Sequence, residues 1–481
     1  MTEFTESVDI PRADATSVTP RRGALIAIAA VLATVTNAVA FMLPPLLPLM
    51  QQQFGLGVAA SAWIFTALTL GGGAGFVLLP RLTDVLNDRT TSLLSGGFLV
   101  VGALVPAIGD SYPALLVGSA LLGFGGAAQL LPLSFLRRHL TGGAVATAVS
   151  VLIMATGSGT VLGMVGGGLT VKYLSLASFF YILAAAFAVT TVALLIIVPS
   201  SRPESSGRIG ILGTVWLIAW VTAVLLALTQ GLTWSGTAIL AVLGAGVVGG
   251  VLWGLVQRKS PTAVFDIQLL KKPLVTPACF AAGIFGAIDA AFLLLVTYYT
   301  QTPAEVGYGL GVDALGTGLL MLPFALMMFV GGKAAERAVQ KGRPATVLVI
   351  GTAVSVVGLG WLAFAHDQKW QYLVGAAFVG LGSRVGYSGA FAVPQLVVPE
   401  DKAGMAAGMA GTTMAIGFAF GSAVVTTLLT FDTIPKIGLP KEYLYTVGYE
   451  VTVGLSLLVL VVTLISRLRH GGELTASSVE A

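Results

Sequence analysis

The chain has 481 residues, of which 56% are hydrophobic and only 10% are charged. An ordinary soluble domain carries about 25% charged residues, and folding this much apolar surface in water would leave large exposed patches. The composition therefore excludes a soluble globular protein. It predicts an all-α membrane protein, because a lipid solvent demands helices that satisfy their own backbone hydrogen bonds.

The formal net charge of +4 does not indicate a nucleic-acid partner, because the basic residues occur in small groups between apolar runs. Cys279 is the only cysteine, which excludes an intrachain disulfide and a thiolate metal cluster. The histidines His139, His366 and His470 lie far apart, which argues against a histidine metal site. We therefore expect no metal, no cofactor and no nucleic acid.

The polar residues 1–22 include Pro11 and Pro20 and are predicted to form a disordered tail before an uncleaved first helix. A transmembrane helix needs about 20 apolar residues to cross about 30 Å of hydrocarbon. Fourteen runs have that character, at 23–49, 59–79, 91–109, 112–134, 143–170, 176–199, 208–230, 236–256, 274–299, 312–336, 345–366, 371–397, 402–430 and 444–466. The sequence thus predicts fourteen transmembrane helices.

The lysines and arginines are distributed unevenly over alternate connections. Twenty fall on the side of the two termini, four fall on the other side, and Arg384 lies inside the twelfth helix. Because cytoplasmic loops retain the excess of basic residues, both termini are predicted to be cytoplasmic in a cell-membrane protein.

An internal repeat relates helices that are eight apart. The loops after helices 2 and 10 both place an acid in a basic turn, Asp84 and Glu336, and helices 5 and 13 are both rich in small residues. The simplest layout is 6+2+6: an N-terminal six-helix bundle (23–200), two inserted linker helices (201–260) and a C-terminal six-helix bundle (261–467). A cytoplasmic tail (468–481) follows.

This layout and several motifs resemble the major facilitator superfamily, specifically its fourteen-helix drug:proton antiporter branch. The family's loop pattern GxLaDrxGrk matches residues 80–89, where Asp84 and Arg89 keep the acid and the final base while both glycines are absent. Glu336 and Arg337 fit the repeat of this pattern in the second half. The resemblance implies that these four residues form a conformational latch between two major-facilitator-like bundles.

The helix 5 antiporter signature gxxxGPxxGG is also recognisable. Its glycines match Gly159, Gly163, Gly167 and Gly168, and Met164 stands where the family has proline. Glycines four apart share one helix face and allow close helix packing, which serves either a sliding contact or a static one. The signature implies a contact that moves during transport.

Two positions depart from the family pattern. Many relatives carry an aspartate in helix 1 and an arginine in helix 4, both associated with proton coupling. Helix 1 has Thr34, Thr36 and Asn37 but no acid, and Ser119 occupies the arginine position. Proton coupling through the N-terminal half is therefore absent from the motif set.

Asp289 in helix 9 and Arg384 in helix 12 are predicted near the same depth, about 15 and 20 Å from the outer helix ends at 1.5 Å per residue. In the family layout these helices line the central cavity. Such a pair could bind substrate charges, exchange a proton or form a structural ion pair. Asn37 and Gln129 are expected to supply the polar lining of the other half. Glu450, near a helix end, is expected to reach the outer surface.

We therefore predict a secondary transporter, and not an enzyme, that exports a hydrophobic or amphipathic small molecule by alternating access. Protons entering through Asp289 are the candidate coupling ion, and the absence of ion coupling is the alternative. The lipid bilayer and the small-molecule substrate are the expected partners of a monomer. The rival hypothesis is a non-transporting receptor or assembly factor built on a transporter scaffold.

Overall fold

The computed structural model describes residues 22–131, 136, 143–198, 210–230, 234–258, 260, 267–270, 272, 274–398, 403–435 and 437–470. The main helices are α1 (Arg22–Phe54), α2 (Val58–Leu86), α3 (Asp88–Gly109), α4 (Tyr112–Gly126), α5 (Gly143–Tyr173), α6 (Leu176–Ile197), α7 (Ile211–Thr229), α8 (Gly236–Gln257), α9 (Val275–Gln301), α10 (Ala314–Leu320 and Leu322–Gln340), α11 (Pro344–Phe364), α12 (Lys369–Val397), α13 (Ala403–Phe431) and α14 (Tyr443–His470). This confirms the all-α prediction.

Short helical turns supplement these elements. The turn Ala127–Leu130 continues α4, Ile267–Leu270 precedes α9, and Ala304–Val306 lies between α9 and α10. Within the described residues, eleven helices are long and apolar enough to cross a membrane. At 15 residues, α4 is shorter than the others. The prediction of fourteen crossings in a 6+2+6 division stays a prediction.

Helix packing repeats with an offset of eight. In what we call the N-terminal half (α1–α6), α1 packs on α5, α2 on α4, and α3 on both α4 and α6. In the C-terminal half (α9–α14), α9 packs on α13, α10 on α12, and α11 on both α12 and α14. Every helix of the first set corresponds to the helix eight positions later in the second, as a duplicated bundle requires.

Helix α10 is interrupted at Met321, where one continuous helix was predicted. Pro323 explains the interruption, because it has no N–H to donate to the carbonyl of Leu319 and its ring crowds that carbonyl. The second segment starts at Leu322, so Pro323 falls in a first turn, where an N–H would lack a helical partner anyway. The short first segment is therefore free to turn toward the N-terminal half.

Helix α7 contacts helices of both halves. The Trp63 indole nitrogen in α2 donates to the Thr229 hydroxyl at 3.2 Å, and the Thr427 hydroxyl in α13 donates to the Leu228 carbonyl at 3.0 Å. Helix α8 packs on α7, where the Trp253 indole donates to the Gly213 carbonyl at 2.7 Å. The pair α7–α8 thus lies outside the two halves, against the seam between α2 and α13.

Glycines set the distance between adjacent helices. A Cβ atom on Gly123 of α4 would lie 1.8 Å from the Leu68 carbonyl oxygen of α2, and one on Gly417 of α13 would lie 1.8 Å from the Gly283 carbonyl oxygen of α9. Lipid gives little hydrophobic drive for helix association, so close backbone approach supplies the packing energy. These two contacts occupy corresponding neighbourhoods in the two halves.

We expect Gly123→Ala to destabilise the protein by about 1–3 kcal/mol, because the new methyl group would displace the α2 backbone. The measurement is the midpoint of thermal unfolding in detergent. Gly97→Ala in α3 is the matched control, since nothing lies within 4 Å of the added Cβ atom. Equal midpoints for the two variants would contradict this packing.

Candidate functional site

A cavity of about 380 Å³ lies between the two halves. Residues of α1, α2, α4 and α5 line it from one side, and residues of α9, α10, α12 and α13 line it from the other. Most of the wall is apolar, including the aromatic residues Phe41, Phe65, Phe76, Tyr387, Phe391 and Phe418. The cavity is large enough for a drug-sized molecule, whose pockets span about 300–1,000 Å³.

Asp289 lies on the C-terminal side of this cavity and is 1% exposed. The Ser383 hydroxyl of α12 donates to Asp289 Oδ1 at 2.5 Å, and Oδ2 has no hydrogen-bond partner. The Tyr387 phenol is close enough to interact with this carboxyl group, although its hydroxyl also lacks a hydrogen bond. A buried carboxyl oxygen without a partner is costly, so Asp289 marks a site where a proton or ligand group can be accommodated.

Arg384 lines the same cavity, one residue after Ser383. The ion pairs within 4 Å among the described residues join Lys172 to Asp313 and Lys441 to Asp432. Asp289 and Arg384 therefore share the cavity, as their predicted depths indicated, but they do not form the ion pair that sequence analysis left open. The carboxyl group of Asp289 bonds to a serine instead.

Asn37 lines the cavity from α1. Its amide nitrogen donates to the Thr156 carbonyl and to the Thr160 hydroxyl of α5, both at 2.7 Å. The amide thus fastens α1 to α5 as well as facing the cavity. Gln129 falls in the turn Ala127–Leu130, and its side chain lies outside the described residues.

The helix 5 glycines make two different contacts. Added Cβ atoms on Gly159 and Gly163 would each lie 2.4 Å from a carbonyl oxygen of α1, and Gly167 would meet Met42 of the same helix. Gly168 instead meets α10, where Leu315 N lies 2.6 Å from the added atom. Three glycines therefore pack α5 within its own half, and the fourth packs it across the cavity.

The residues of the loop motif remain within one half where their contacts are described. Arg89 Nη2 donates to the Leu195 carbonyl at 2.6 Å, near the C-terminal end of α6. The Asp84 side chain lies outside the described residues, and Glu336 and Arg337 lie near the end of α10. The latch stays a prediction. Asn87, at the position of a family glycine, adopts φ +112°, a conformation that favours glycine and tolerates asparagine.

Several cavity residues were missed by sequence analysis. Arg384, Tyr387, Ser388 and Phe391 all line the cavity at spacings of three and four, which defines one face of α12. That spacing was visible beside Arg384 and could have identified the other three. Ser383, which holds Asp289, offered no comparable signal.

The two halves also meet at the end of the molecule that carries the α1–α2 turn, which we call the loop end. The Ser61 and Tyr298 hydroxyls lie 2.8 Å apart, and the Gln301 amide nitrogen donates to the Pro45 carbonyl at 2.9 Å. Gly318 of α10 packs against the Met164 carbonyl of α5. These contacts hold α1, α2 and α5 against α9 and α10 beyond the cavity.

An all-helical membrane body with a cavity between two halves of repeated packing is the architecture of a secondary transporter. The family model described as Major Facilitator Superfamily matches residues 26–422. The chain belongs to the major facilitator superfamily. This confirms the resemblance found in the motifs, and it supports a membrane transporter over an enzyme, a receptor or an assembly factor.

Relatives and structural neighbours agree with that membership. The chain is 30% identical to the multidrug efflux pump LfrA of Mycolicibacterium smegmatis, over 86% of this chain and 82% of that protein. It is 26% identical to the cephamycin export protein CmcT of Amycolatopsis lactamdurans, over 87% of each. The crystal structure of the nucleoside transporter NupG shares the fold with a TM-score of 0.64, 13% identity and coverage of 92% and 98–99% respectively in its mutant and native forms.

We expect Tyr298→Phe to loosen the loop end, because one buried hydrogen bond between the halves contributes about 1 kcal/mol, or roughly a fivefold change in equilibrium. A Phe41→Cys variant carries the reporter in the cavity, and its labelling by an impermeant maleimide from the loop-end face is measured in sealed vesicles. Labelling should be roughly fivefold faster with Tyr298→Phe.

The control for this experiment is Tyr173→Phe, which alters a tyrosine that is 73% exposed. It should leave the labelling rate unchanged. The native Cys279 is 3% exposed and should contribute little background. Identical rates in the Tyr298→Phe and Tyr173→Phe backgrounds would show that the hydroxyl contact does not hold the loop end.

Proposed function

We propose that this protein is a secondary active transporter that exports an amphipathic or hydrophobic small molecule by alternating access, in exchange for protons. The observation that carries the proposal is the cavity itself, an aromatic and aliphatic chamber between the halves with one carboxyl group and one guanidinium group. Such a chamber favours a molecule with a large apolar body and few polar groups. Export as the direction is supported by the relatives named as efflux and export proteins.

Protons are proposed to act through Asp289. It is the one acid among the described residues that line the cavity, and α1 supplies none. A carboxyl group can carry a proton in one conformation and release it in another, and release must be accompanied by water or a cation that compensates the charge. The short bond from Ser383 orients the group, while the unpartnered Oδ2 is available to the proton or to a ligand.

Asp289→Asn should abolish transport driven by a pH gradient while leaving the protein folded, because an amide cannot carry the proton. The measurement is movement of amphipathic dyes, among them fluorescein and rhodamine 123, in proteoliposomes with and without an imposed pH gradient. Glu450→Gln is the matched control, since Glu450 is an exposed acid within α14 and outside the cavity.

Undiminished gradient-driven transport in Asp289→Asn would remove the residue from coupling. Transport that responds to no gradient in the unaltered protein would instead indicate a carrier without ion coupling. Loss of transport in Glu450→Gln as well would show that neutralising any membrane acid is harmful, and the effect at Asp289 would then carry no weight.

The proposed orientation places both termini in the cytoplasm and the loop end outside, and the proposed working unit is a monomer. The basic residues of the terminal side support the orientation. Single-cysteine variants Tyr173→Cys and Arg258→Cys should react with an impermeant maleimide only from the outside and only from the inside of the cell, respectively. The opposite pattern would invert the account, and reaction of both from one face would contradict the helix count.

A further inference from the structure

We propose that the cavity selects amphipathic anions, with the guanidinium group of Arg384 binding the negative group of the substrate and the aromatic wall of the N-terminal half receiving its apolar body. This inference rests on the proposed transport function and names the substrate class. The negative group would be a carboxylate, sulfonate or phosphonate, all of which present the paired oxygens that a guanidinium recognises.

The first observation is that the Arg384 side chain has no acceptor. Its printed hydrogen bond is made by the backbone, whose carbonyl accepts from the Ser388 hydroxyl at 2.9 Å. No carboxylate lies within 4 Å of the guanidinium among the described residues, whose ion pairs occur elsewhere. A guanidinium group carries five N–H donors and stays charged, so leaving it in a largely apolar chamber without an acceptor is unfavourable. An anion entering the cavity would supply what the protein does not.

The second observation is the difference in exposure between the two charged residues. Asp289 is 1% exposed and its Oδ1 accepts from Ser383, so its carboxyl group is shielded from a ligand. Arg384 is only half-buried and faces the cavity. A cationic substrate would need the shielded acid and would meet the exposed arginine, so the arrangement favours the opposite charge.

The third observation is the uneven distribution of polarity around the cavity. The described lining residues from the N-terminal half are uncharged and include Phe41, Phe65 and Phe76. The face of α12 on the opposite side carries Arg384 with Tyr387 and Ser388. An amphipathic anion can therefore lie across the chamber with its charged end on α12 and its rings against α1 and α2. A molecule charged at both ends would place one charge against phenylalanines.

The test uses two dyes with similar xanthene ring systems and opposite charge, the anion fluorescein and the cation rhodamine 123. Binding to the purified full-length protein in detergent is measured by fluorescence anisotropy at neutral pH. We expect fluorescein to bind roughly tenfold more tightly or better, as for a charge-assisted hydrogen bond in a partly dry site. Arg384→Gln should erase this preference, and Arg384→Lys should retain part of it.

Lys369→Gln is the matched control, because it removes one positive charge from the exposed start of the same helix. It should keep the preference for fluorescein. The inference is overturned if the unaltered protein binds rhodamine 123 equally or more tightly, if it binds neither dye, or if Arg384→Gln keeps the preference. The unaltered protein alone decides the first two outcomes, so the test does not depend on the stability of the variants.

Transport of the same dyes in proteoliposomes separates this inference from the proposed function. Rhodamine 123 movement that is favoured over fluorescein and unaffected by Arg384→Gln would support a transporter and refute an anion site. Selective binding of fluorescein without movement of any dye would support the anion site and refute transport of such molecules.

Discussion

The whole structure depends on close contact between helices in a solvent that does not drive them together. In lipid an apolar side chain gains little by facing another helix, so association relies on dispersion contacts, hydrogen bonds and the approach of backbones. Glycines such as Gly123 in α4 and Gly417 in α13 permit that approach within each half. Where contacts must change during transport, as between α5 and α10, the same small residues keep the interface smooth.

The two halves repeat each other in packing but differ in chemistry. The N-terminal half presents neutral amide and hydroxyl groups and phenylalanines to the cavity, and its Asn37 is engaged in fastening α1 to α5. The C-terminal half presents Asp289 and Arg384, held by α9 and α12. Proton binding and substrate charge recognition are thereby both assigned, in our proposals, to one half. The other half provides shape and apolar surface.

Much of the fold could be predicted because hydropathy and charge asymmetry reflect the bilayer directly. The depths of Asp289 and Arg384 followed from helix rise, and both residues do line one cavity. Their lack of an ion pair could not be predicted, because it depends on helix rotation and on Ser383 taking the carboxyl group. The interruption of α10 was predictable in principle from Pro323. The partial use of Asn37 for helix packing required the position of α5 in space, which no local pattern encodes.

The central claim is that the two halves open the cavity alternately to either side of the membrane. Spin labels at Tyr173 and Glu305 report on the loop end, and labels at Thr90 and Lys341 report on the opposite end. The account predicts that pulsed electron-electron distance measurements in lipid give two populations at each end, and that a change of pH or addition of a transported dye shifts the two ends in opposite directions. A single distance distribution at both ends, unchanged by pH and by any dye that the protein moves, would contradict it.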